Sequence, residues 1–322
     1  MVQLDFQPAY LSLLGDAFSN AGFGARLQAG ASLARYTASR LGGPADLLLE
    51  VRSGRELEAA VTLAWRNAFP FVLLGGGSNV LVSDAGVRGL VILNRARRVR
   101  FDERVEPPTV WAESGANFGV LARQAARRGL SGLEWASGVP GTLGGAVFGN
   151  AGAHGGDMAG SLLVAEILHH AGVERDGAIQ REEWSVEKMA YSYRSSVLKR
   201  GSREVVVLAA RLRLERSTHE AVQARIDEFA AYRKRTQPPG ASMGSMFKNP
   251  PGAFAGRLIE AAGLKGSRIG DAQVSPVHAN FFINLGRASA QDFYDLIQLA
   301  RQQVADRFGV NLELEIKLLG KW

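Results

Sequence analysis

The segment that most constrains the fold is residues 71–84, where a short apolar run ends in three glycines before a second apolar run begins. This pattern predicts a strand, a tight loop and a second strand. Gly75, Gly76 and Gly77 permit a sharp turn and let a ligand approach the main-chain N–H groups, as in a pyrophosphate cradle. No Gly-Lys-Ser/Thr and no helix follows, so the segment is neither a P-loop nor a dinucleotide fingerprint. A plain glycine hairpin is the alternative.

A second glycine-rich segment covers residues 132–155. It is too apolar for a linker and too rich in glycine for an ordinary helix or strand. Its glycines are irregularly spaced, so it is not a low-complexity tract. Small residues at this density indicate a backbone packed directly against a flat or extended ligand. Together, the two segments predict a large cofactor that carries phosphates.

Composition excludes several kinds of chemistry. The chain has 322 residues and no Cys, which excludes disulfides, thiolate chemistry and Cys-based metal sites. The five His lack metal-ligand spacing, so we expect no metal. No apolar run is long enough to span a bilayer and the first residues lack the basic region of a signal peptide, so we expect no membrane insertion.

The net charge of +7 raises the question of a nucleic-acid partner. The basic residues are scattered, however, and the densest group, at 95–100, has no interleaved aromatic residues. We therefore expect no nucleic-acid partner. A positive field equally suits anionic small molecules, which it steers into a cleft.

Periodicity and capping residues predict the order of elements. Ser53 is expected to cap a helix in a capping box with Glu56, and Ser289 is expected to cap the long helix near the end of the chain. Residues 312–319 alternate, which predicts a strand with Glu313, Glu315 and Lys317 on one face. The expected strands are at 47–51, 71–74, 80–82, 90–93, 109–112, 162–169, 205–214, 281–284 and 312–319, and the expected helices at 55–69, 117–128, 219–235, 254–262 and 290–308.

Four short motifs carry candidate chemistry. Arg194 lies between Tyr193 and two Ser, which suits a carboxylate or phosphate clamp, although a surface strand end is the alternative. Ser245, with a Lys three residues on, is a candidate nucleophile or proton donor. A Ser that only satisfies backbone groups is the alternative, and the absence of Gly-x-Ser-x-Gly disfavours a hydrolase. Glu315 is either an exposed charge or a carboxylate in a cleft, and Asn280 either binds a ligand or closes a turn.

Taken in order, these segments resemble the UDP-N-acetylenolpyruvoylglucosamine reductase (MurB) family of peptidoglycan synthesis. The resemblance extends from about residue 31 to the end, and its ordered set of motifs is very specific although each motif alone is weak. The matching segments are Tyr36-Thr37, Gly42–Ala45, Leu74–Val82, Gly132–Glu134, Pro140–Ala146, Asn150–Gly152, Tyr193–Ser195, Gly244–Pro250, Gly263–Gly266, His278–Phe281 and Leu312–Glu315.

The resemblance implies an α+β chain with the vanillyl-alcohol-oxidase-like (PCMH-type) FAD-binding fold. A leader would cover residues 1–30, two FAD-binding subdomains about 31–90 and 91–214, and a C-terminal α+β substrate-binding domain 215–322. Non-covalent FAD would be reduced by NADPH and would pass hydride to C3 of UDP-N-acetylglucosamine enolpyruvate, giving UDP-N-acetylmuramate. The implied protein is a cytoplasmic monomeric oxidoreductase of cell wall biogenesis, on which cell shape, the cell cycle and cell division depend.

The same resemblance implies roles for individual residues. Ser245 would protonate C2, and Arg194 and Glu315 would polarise the substrate carboxylate and stabilise an enolate-like intermediate. Lys248 is the residue expected to assist Ser245. The implied FAD contacts are Gly75, Gly76, Gly77, Ser78, Asn79, Pro140, Gly141, Thr142, Gly144, Gly145, Ala146, Asn150 and Gly152. The implied substrate contacts are Tyr193, Lys248, Asn249 and Asn280.

Two details refine the resemblance. The segment between Arg194 and Ser245 is too short for the extra substrate-gripping loop of one subtype, which implies the subtype without it. Leu314 stands where many relatives carry Pro, a change that should not move Glu315.

Two other functions remain as alternatives. A flavin oxidase of the same fold would act on alcohols or sugars, but such enzymes often tether FAD through His or Cys. The chain has no Cys, and no His adjoins the first glycine loop. A non-enzymatic flavin-binding regulator would keep the glycine segments and lose the three catalytic residues, and all three are present.

Overall fold

The computed structural model describes residues 8–170, 178–201 and 204–322, which form three packed units. The first unit is a four-stranded sheet of order β1-β2-β5-β3, in which β2 and β3 run parallel to β5 and β1 runs antiparallel to β2. Its elements, with β4 outside that sheet, are α1 (Pro8–Phe18), β1 (Leu27–Ser32), β2 (Pro44–Val51), α2 (Gly54–Arg66), β3 (Phe71–Leu74), β4 (Val80–Val82) and β5 (Val87–Asn94).

Helix α2 begins where the sequence predicts it. The Ser53 hydroxyl accepts the Glu56 N–H at 3.2 Å, so the predicted N-cap is confirmed. The reciprocal half of the predicted capping box is wrong, because the Glu56 carboxylate accepts the N–H of Arg52 at 2.8 Å instead of that of Ser53. Leu57 and Val61 are fully buried against the sheet, as the helical period requires.

The described part of the predicted leader, residues 8–30, contains helix α1 and the start of β1. Leu14 and Phe18 of α1 have no exposed surface, and they pack with Leu57 and Val61 of α2. Removal of α1 would therefore uncover apolar side chains of the first unit.

The second unit is a five-stranded antiparallel sheet of order β12-β11-β13-β7-β6. It shares a core with the first unit, because Leu168 and Val206 belong to the same apolar cluster as Leu57. Its elements are β6 (Val99–Asp102), β7 (Thr109–Glu113), α3 (Phe118–Ala126), β8 (Leu130–Ser131), α4 (Leu143–Gly149), β9 (Gly152–Ala153), β10 (Gly156–Asp157), α5 (Met158–Ser161), β11 (Leu162–His170), β12 (Ile179–Ser185), α6 (Val186–Met189), α7 (Val197–Arg200), β13 (Val205–Arg213) and β14 (Glu215–Arg216).

The third unit is a sheet of order β15-β18-β17-β16 packed on a long helix. That helix, α10, has the predicted bounds and a complete capping box between Ser289 and Asp292. The elements after β14 are α8 (His219–Thr236), β15 (Ala241–Ser245), α9 (Ala255–Ala261), β16 (Arg268–Ile269), β17 (Ala272–Val274), β18 (Phe281–Asn284), α10 (Ala290–Phe308) and β19 (Lys317–Leu319).

Helix α8 packs away from that third sheet. Val222 and Ile226 bury their side chains against Ala126 of α3, and the His219 ring lies 3.1 Å from the Ala126 carbonyl oxygen. The domain boundary at residue 215 remains a prediction from the sequence.

The third unit is joined to the first by several contacts, two of which lie at β4 and just after it. β19 pairs in parallel with β4, which follows the first glycine loop, so the predicted strand 80–82 lies outside the four-stranded sheet. The Asp84 carboxylate accepts the N–H groups of Ala290 at 2.9 Å and Gln291 at 3.0 Å, at the start of α10. These contacts hold the last part of the chain beside that loop.

The predicted continuous strand over 312–319 is wrong. Leu314 forms an isolated bridge with Phe247, the chain bends at residues 315 and 316, and β19 begins only at Lys317. The bend breaks the alternation of the charged residues. The side chain of Glu313 is 72% exposed, whereas that of Glu315 is 16% exposed.

Candidate active site

The two glycine-rich segments lie directly against each other. A β-carbon added to Gly75 would lie 2.5 Å from Thr142 Oγ1, and one added to Gly76 would lie 2.8 Å from Gly141 Cα. At Gly77, where φ is +60°, it would lie 1.9 Å from the Tyr36 carbonyl oxygen. Close contacts with the Thr142 side chain and with the backbones of Gly141 and Tyr36 therefore require these glycines. The contacts at Gly75 and Gly76 join the two segments into one surface.

The loop after β3 presents its main-chain N–H groups without partners in the described part of the chain. The N–H groups of residues 75–79 donate no hydrogen bond to any residue that the structure describes. The loop is fixed from its side chains, since the Ser78 hydroxyl donates to the Pro140 carbonyl at 3.2 Å and the Asn79 amide to the Glu315 carbonyl at 3.1 Å. Successive N–H groups of this kind suit an anionic group such as a diphosphate.

Helix α4 contains one glycine that packing explains and two that it does not. A β-carbon at Gly144 would lie 2.7 Å from Ser114 Cβ. At Gly145 the nearest atom would be Thr142 Oγ1 at 3.7 Å, an ordinary contact, and at Gly149 no atom lies within 4 Å. The fold therefore has room for alanine at both of these positions, and Gly145 is exposed, so this side of α4 is open to a ligand.

Asn150 and Gly152 act within the fold. Asn150 takes a left-handed backbone conformation, its amide donates to the Ser192 carbonyl at 3.1 Å, and its Oδ1 accepts the Ala159 N–H at 3.0 Å. A β-carbon on Gly152 would lie 2.9 Å from Asp157 Cβ. Asn150 thereby ties the second glycine segment to the hairpin that carries Arg194.

Arg194 lies at the tip of that hairpin, next to Glu315. Ser192 and Ser195 exchange two backbone hydrogen bonds of 3.0 Å, and Arg194 between them has a φ of +54°. Its Nε lies 2.9 Å from Glu315 Oε1. The N–H is not aimed at that oxygen, and Nε is buried without a hydrogen-bond acceptor among the described residues.

Glu315 is a buried carboxyl group among cations. Burial raises its pKa above the ordinary value, and the positive charges of Arg194, Lys199 and Lys248 act in the opposite direction without cancelling the rise. The group therefore holds a proton to a higher pH than an exposed glutamate.

Ser245 lies at the end of β15, directly before the segment that contacts Glu315. The register shifts between Ser242 and Ser245, where Gly244 takes a φ of +77°. The carbonyl of Met246 accepts the Glu315 N–H at 2.9 Å, which brings Ser245 and Glu315 onto adjacent strand segments. The Ser245 hydroxyl makes no hydrogen bond within the residues described, so its proton is available to a ligand.

Asn280 is buried beside the segment that follows Ser245. It is 3% exposed, its Oδ1 accepts the Phe247 N–H at 3.0 Å, and its amide donates to the Phe247 carbonyl at 2.8 Å. These bonds hold the segment after Ser245, and Asn280 as a substrate contact stays a prediction from the sequence.

A cavity of ≈ 380 Å³ opens beside the Arg194 hairpin. Lys248 lies at its edge with its ammonium paired to the Glu313 carboxylate. Asn249 uses its Oδ1 to accept the Ala255 N–H at 3.1 Å, and Tyr193 is 56% exposed. The lining residues are Tyr193, Lys248, Asn249, Pro250, Pro251, Asn311 and Glu313.

Comparison with known proteins identifies the family of this chain. Residues 45–180 match an FAD binding domain family, and residues 236–319 match the UDP-N-acetylenolpyruvoylglucosamine reductase C-terminal domain. The UDP-N-acetylenolpyruvoylglucosamine reductase of Rubrobacter xylanophilus is 48% identical over 289 residues, which cover 90% of this chain and 94% of that protein. This chain belongs to the UDP-N-acetylenolpyruvoylglucosamine reductase family.

Other members of the family agree in sequence and in structure. The reductase of Chloroflexus aggregans is 44% identical over 290 residues, which cover 89% of this chain and 95% of that protein. The crystal structure of the reductase MurB from Thermus caldophilus aligns with a TM-score of 0.75 and 37% identity, over 92% of this chain and 99% of that chain. The predicted vanillyl-alcohol-oxidase-like FAD-binding fold with a C-terminal α+β domain is confirmed, as is FAD as the cofactor.

The residues of this reductase-family site fit FAD. The donor-rich loop 75–79 suits its diphosphate, and the open side of α4 at Gly145 leaves space for a flat group. A further cation, Arg233, packs against Gly138, where an added β-carbon would lie 2.6 Å from Arg233 Cδ. Burial lowers the pKa of Arg233, and its guanidinium pairs with no carboxylate in the described part of the chain. An unpaired, partly buried cation of this kind favours an anionic ligand.

Sequence reasoning missed three basic residues of this family site: Lys199, Arg200 and Arg233. Lys199 Nζ donates to the Arg194 carbonyl at 3.2 Å, and the Arg200 guanidinium donates to Ser192 Oγ at 3.0 Å. The only available signal was that Lys199 and Arg200 follow the Tyr-Arg-Ser-Ser motif within one short helix. The described ranges contain no helix able to cross a membrane and no cluster of three or more potential metal ligands.

Proposed function

We propose that this chain reduces UDP-N-acetylglucosamine enolpyruvate to UDP-N-acetylmuramate with NADPH, a step of peptidoglycan precursor synthesis. The observation that carries the proposal is the Arg194–Glu315 contact of 2.9 Å on the segment next to Ser245. A fixed cation, a carboxyl group of raised pKa and an unpaired hydroxyl together suit protonation of a carbon that adjoins a carboxylate. The named function of the relatives from Rubrobacter and Chloroflexus supports the same reaction.

FAD would be held by the joined glycine segments. We assign its diphosphate to the N–H groups of residues 75–79, with Pro140–Ala146 beside it and Arg233 as a source of positive charge. When bound there, FAD would supply the hydride chemistry between NADPH and C3 of the enolpyruvyl group. Asn150 and Gly152 act by fixing the shape of this surface.

Arg194 would stabilise the negative charge that develops on the substrate. Arrival of hydride at C3 moves charge toward C2 and the carboxylate. The Nε–H of Arg194 has no acceptor among the described residues, so it is available to that carboxylate. One preorganised donor of this kind contributes about 3–4 kcal/mol to transition-state stabilisation.

Glu315 and Ser245 divide the proton chemistry. The raised pKa of Glu315 lets it keep a proton with which to bond the enolate-like oxygen. Ser245 then gives its hydroxyl proton to C2, which is plausible for a weak acid because a carbanion-like carbon is a strong base.

The cavity beside Arg194 would take the nucleotide end of the substrate. Tyr193, Lys248 and Asn249 line it, and the Lys248 ammonium suits a diphosphate once Glu313 is displaced. That pairing with Glu313 makes Lys248 a substrate contact in this proposal instead of the assistant of Ser245.

Several further properties belong to the same proposal. The chain would act in the cytoplasm as a monomer, and NADPH would use the substrate pocket in turn. It would be of the subtype without the extra substrate loop, with FAD-binding subdomains at about 31–90 and 91–214 and a substrate-binding domain from residue 215. The absence of a membrane-crossing helix among the described residues is compatible with this location.

Anaerobic flavin spectra test the proposal. NADPH should bleach the bound flavin, and UDP-N-acetylglucosamine enolpyruvate should restore its absorbance. Ser245→Ala should keep the bleaching rate and lose about 10²–10⁴-fold in the recovery rate, the usual contribution of a positioned proton donor. Ser242→Ala, on the same strand, is the matched control and should behave as wild type. Recovery with oxygen alone would instead support the oxidase alternative and contradict the proposal.

A further inference from the structure

The hairpin that carries Arg194 is held in an unusual backbone conformation. A positive φ at a residue other than glycine is uncommon and persists only where the surroundings fix it. Among the described residues, two backbone bonds between Ser192 and Ser195 close the hairpin. Side chains from outside the hairpin must therefore help to keep Arg194 beside Glu315.

The short helix α7 supplies those groups through two adjacent basic residues. Arg200 donates to Ser192 Oγ at 3.0 Å, to Ser195 Oγ at 3.1 Å and to the Ala190 carbonyl at 2.5 Å. Lys199 donates from Nζ to the carbonyl of Arg194 itself, at 3.2 Å. Both side chains thus use their charge on neutral acceptors of one hairpin, and neither pairs with a carboxylate in the described ranges.

Helix α7 is itself anchored to the cofactor side of the molecule. Ser196 caps it and donates from Oγ to the Phe148 carbonyl of α4 at 2.6 Å. Leu198 of this helix is 5% exposed and packs in the core of the second unit. The position of the hairpin is therefore fixed relative to α4, which carries Gly145.

Lys199 differs from Arg200 in what its charge faces. Lys199 interacts electrostatically with Glu315 and Glu313 of the C-terminal segment, with Lys248 after β15 and with Arg194. Burial lowers its pKa, and the neighbouring cations act in the same direction. Arg200 does not act on the carboxyl group of Glu315, where Arg194, Lys199 and Lys248 do.

We propose that Lys199 is a positioning residue of this site, whose ammonium fixes the Arg194 hairpin and supplies positive charge to the Arg194–Glu315 pair. The inference rests on the proposed function, since it assigns a task within that reaction. Arg200 helps to fix the hairpin but supplies no charge to this pair. Comparing variants of Lys199 and Arg200 therefore distinguishes the effect of orientation from the effect of charge.

The test measures flavin reduction by NADPH and flavin reoxidation by the enolpyruvyl substrate across pH, without oxygen. Lys199→Met should leave reduction unchanged and slow reoxidation by about tenfold or more, the loss typical of a hydrogen bond to a charged group. Loss of a nearby cation should raise the pKa of Glu315 further. The alkaline limb of the pH profile, where the reoxidation rate falls as Glu315 loses its proton, should therefore move to higher pH.

Three further variants isolate the cause. Lys199→Arg keeps the charge and should restore the wild-type position of the limb. Arg200→Gln should slow reoxidation with the limb unmoved. Lys234→Met replaces an exposed lysine of α8 and should match wild type. Bound-flavin content and thermal unfolding report folding, and Lys199→Arg keeps the test valid if the methionine variant does not fold.

Two results would overturn the inference. A Lys199→Met enzyme with wild-type reoxidation and an unmoved limb removes any role for Lys199. A slow Lys199→Met enzyme whose limb stays in place, like that of Arg200→Gln, removes the charge from the proposal. A wild-type protein that the substrate cannot reoxidise at all would instead refute the proposed function, and this control is run first.

Discussion

Gly145 offers a direct test of where the cofactor lies. In the interior of a helix, alanine is more stable than glycine by about 0.5–1 kcal/mol, because it has less backbone freedom to lose. A β-carbon at Gly145 meets no atom nearer than 3.7 Å. Gly145→Ala should therefore raise the free energy of unfolding of the FAD-free protein.

The same substitution should weaken FAD binding. If FAD packs on this face, the added methyl group overfills the contact at a typical cost of about 1–3 kcal/mol. That cost corresponds to a rise of about 5- to 150-fold in the FAD dissociation constant. The assay titrates apoprotein with FAD and follows quenching of flavin fluorescence, with thermal unfolding measured in parallel.

Gly149→Ala is the matched control, because Gly149 lies one turn further along α4 and an added β-carbon there meets no atom within 4 Å. It should also stabilise the apoprotein, by less because Gly149 is the last residue of α4, and should leave FAD affinity unchanged. An unchanged dissociation constant for Gly145→Ala would refute the reasoning. Equal weakening by both variants would point to the stiffness of α4 instead of contact with FAD.

Two other substitutions test Glu315 and the joint between the units. The raised pKa of Glu315 stabilises the fold fully below its ordinary value of 4.5, and this stabilisation is lost as pH rises through the folded-state pKa. Glu315→Gln should therefore gain stability relative to wild type as pH rises from 4.5 to 8 in urea titrations, and a difference independent of pH would contradict this. Asp84→Ala removes the acceptor for two N–H groups of α10 and should cost about 0.5–2 kcal/mol, as for a lost N-cap, in the same titrations. Asp84→Asn is the control that keeps one acceptor oxygen, and wild-type stability of Asp84→Ala would refute the role of this contact.

Local signals in the sequence located most elements. Ser53 and Ser289 cap helices where predicted, because a hydroxyl that accepts an N–H three residues on needs only local chain. The strands at 71–74 and 281–284 also have the predicted bounds, since turn residues flank their apolar runs.

Long-range contacts were beyond the reach of the same reasoning. Alternation from 312 to 319 predicted one strand, but Leu314 pairs with Phe247 while Lys317 pairs with Val80, and the chain bends between the two partners. Burial of Glu315 depends on that bend. Asn280 was ambiguous for the same reason, because its partner Phe247 is 33 residues away.

The sequence identified most residues of the candidate site but not the structural role of each one. The glycines at 75 and 76 were expected to let a ligand approach. In the structure their lack of a side chain also allows close contact with Thr142 and Gly141. Apart from its place after the Tyr-Arg-Ser-Ser motif, nothing in the sequence distinguishes Lys199 from a surface lysine, although it donates to a carbonyl five residues earlier.

The parallel pairing of β19 with β4 has a consequence for how the protein is made. Lys317 donates its N–H to the Asn79 carbonyl at 3.0 Å, so the strand beside the first glycine loop gains its partner only after residues 83–316 have been translated. Until residues 317–319 have left the ribosome, β4 has an unpaired strand edge. A protein truncated before Lys317 would expose this edge permanently, and we expect proteases to remove it before it accumulates.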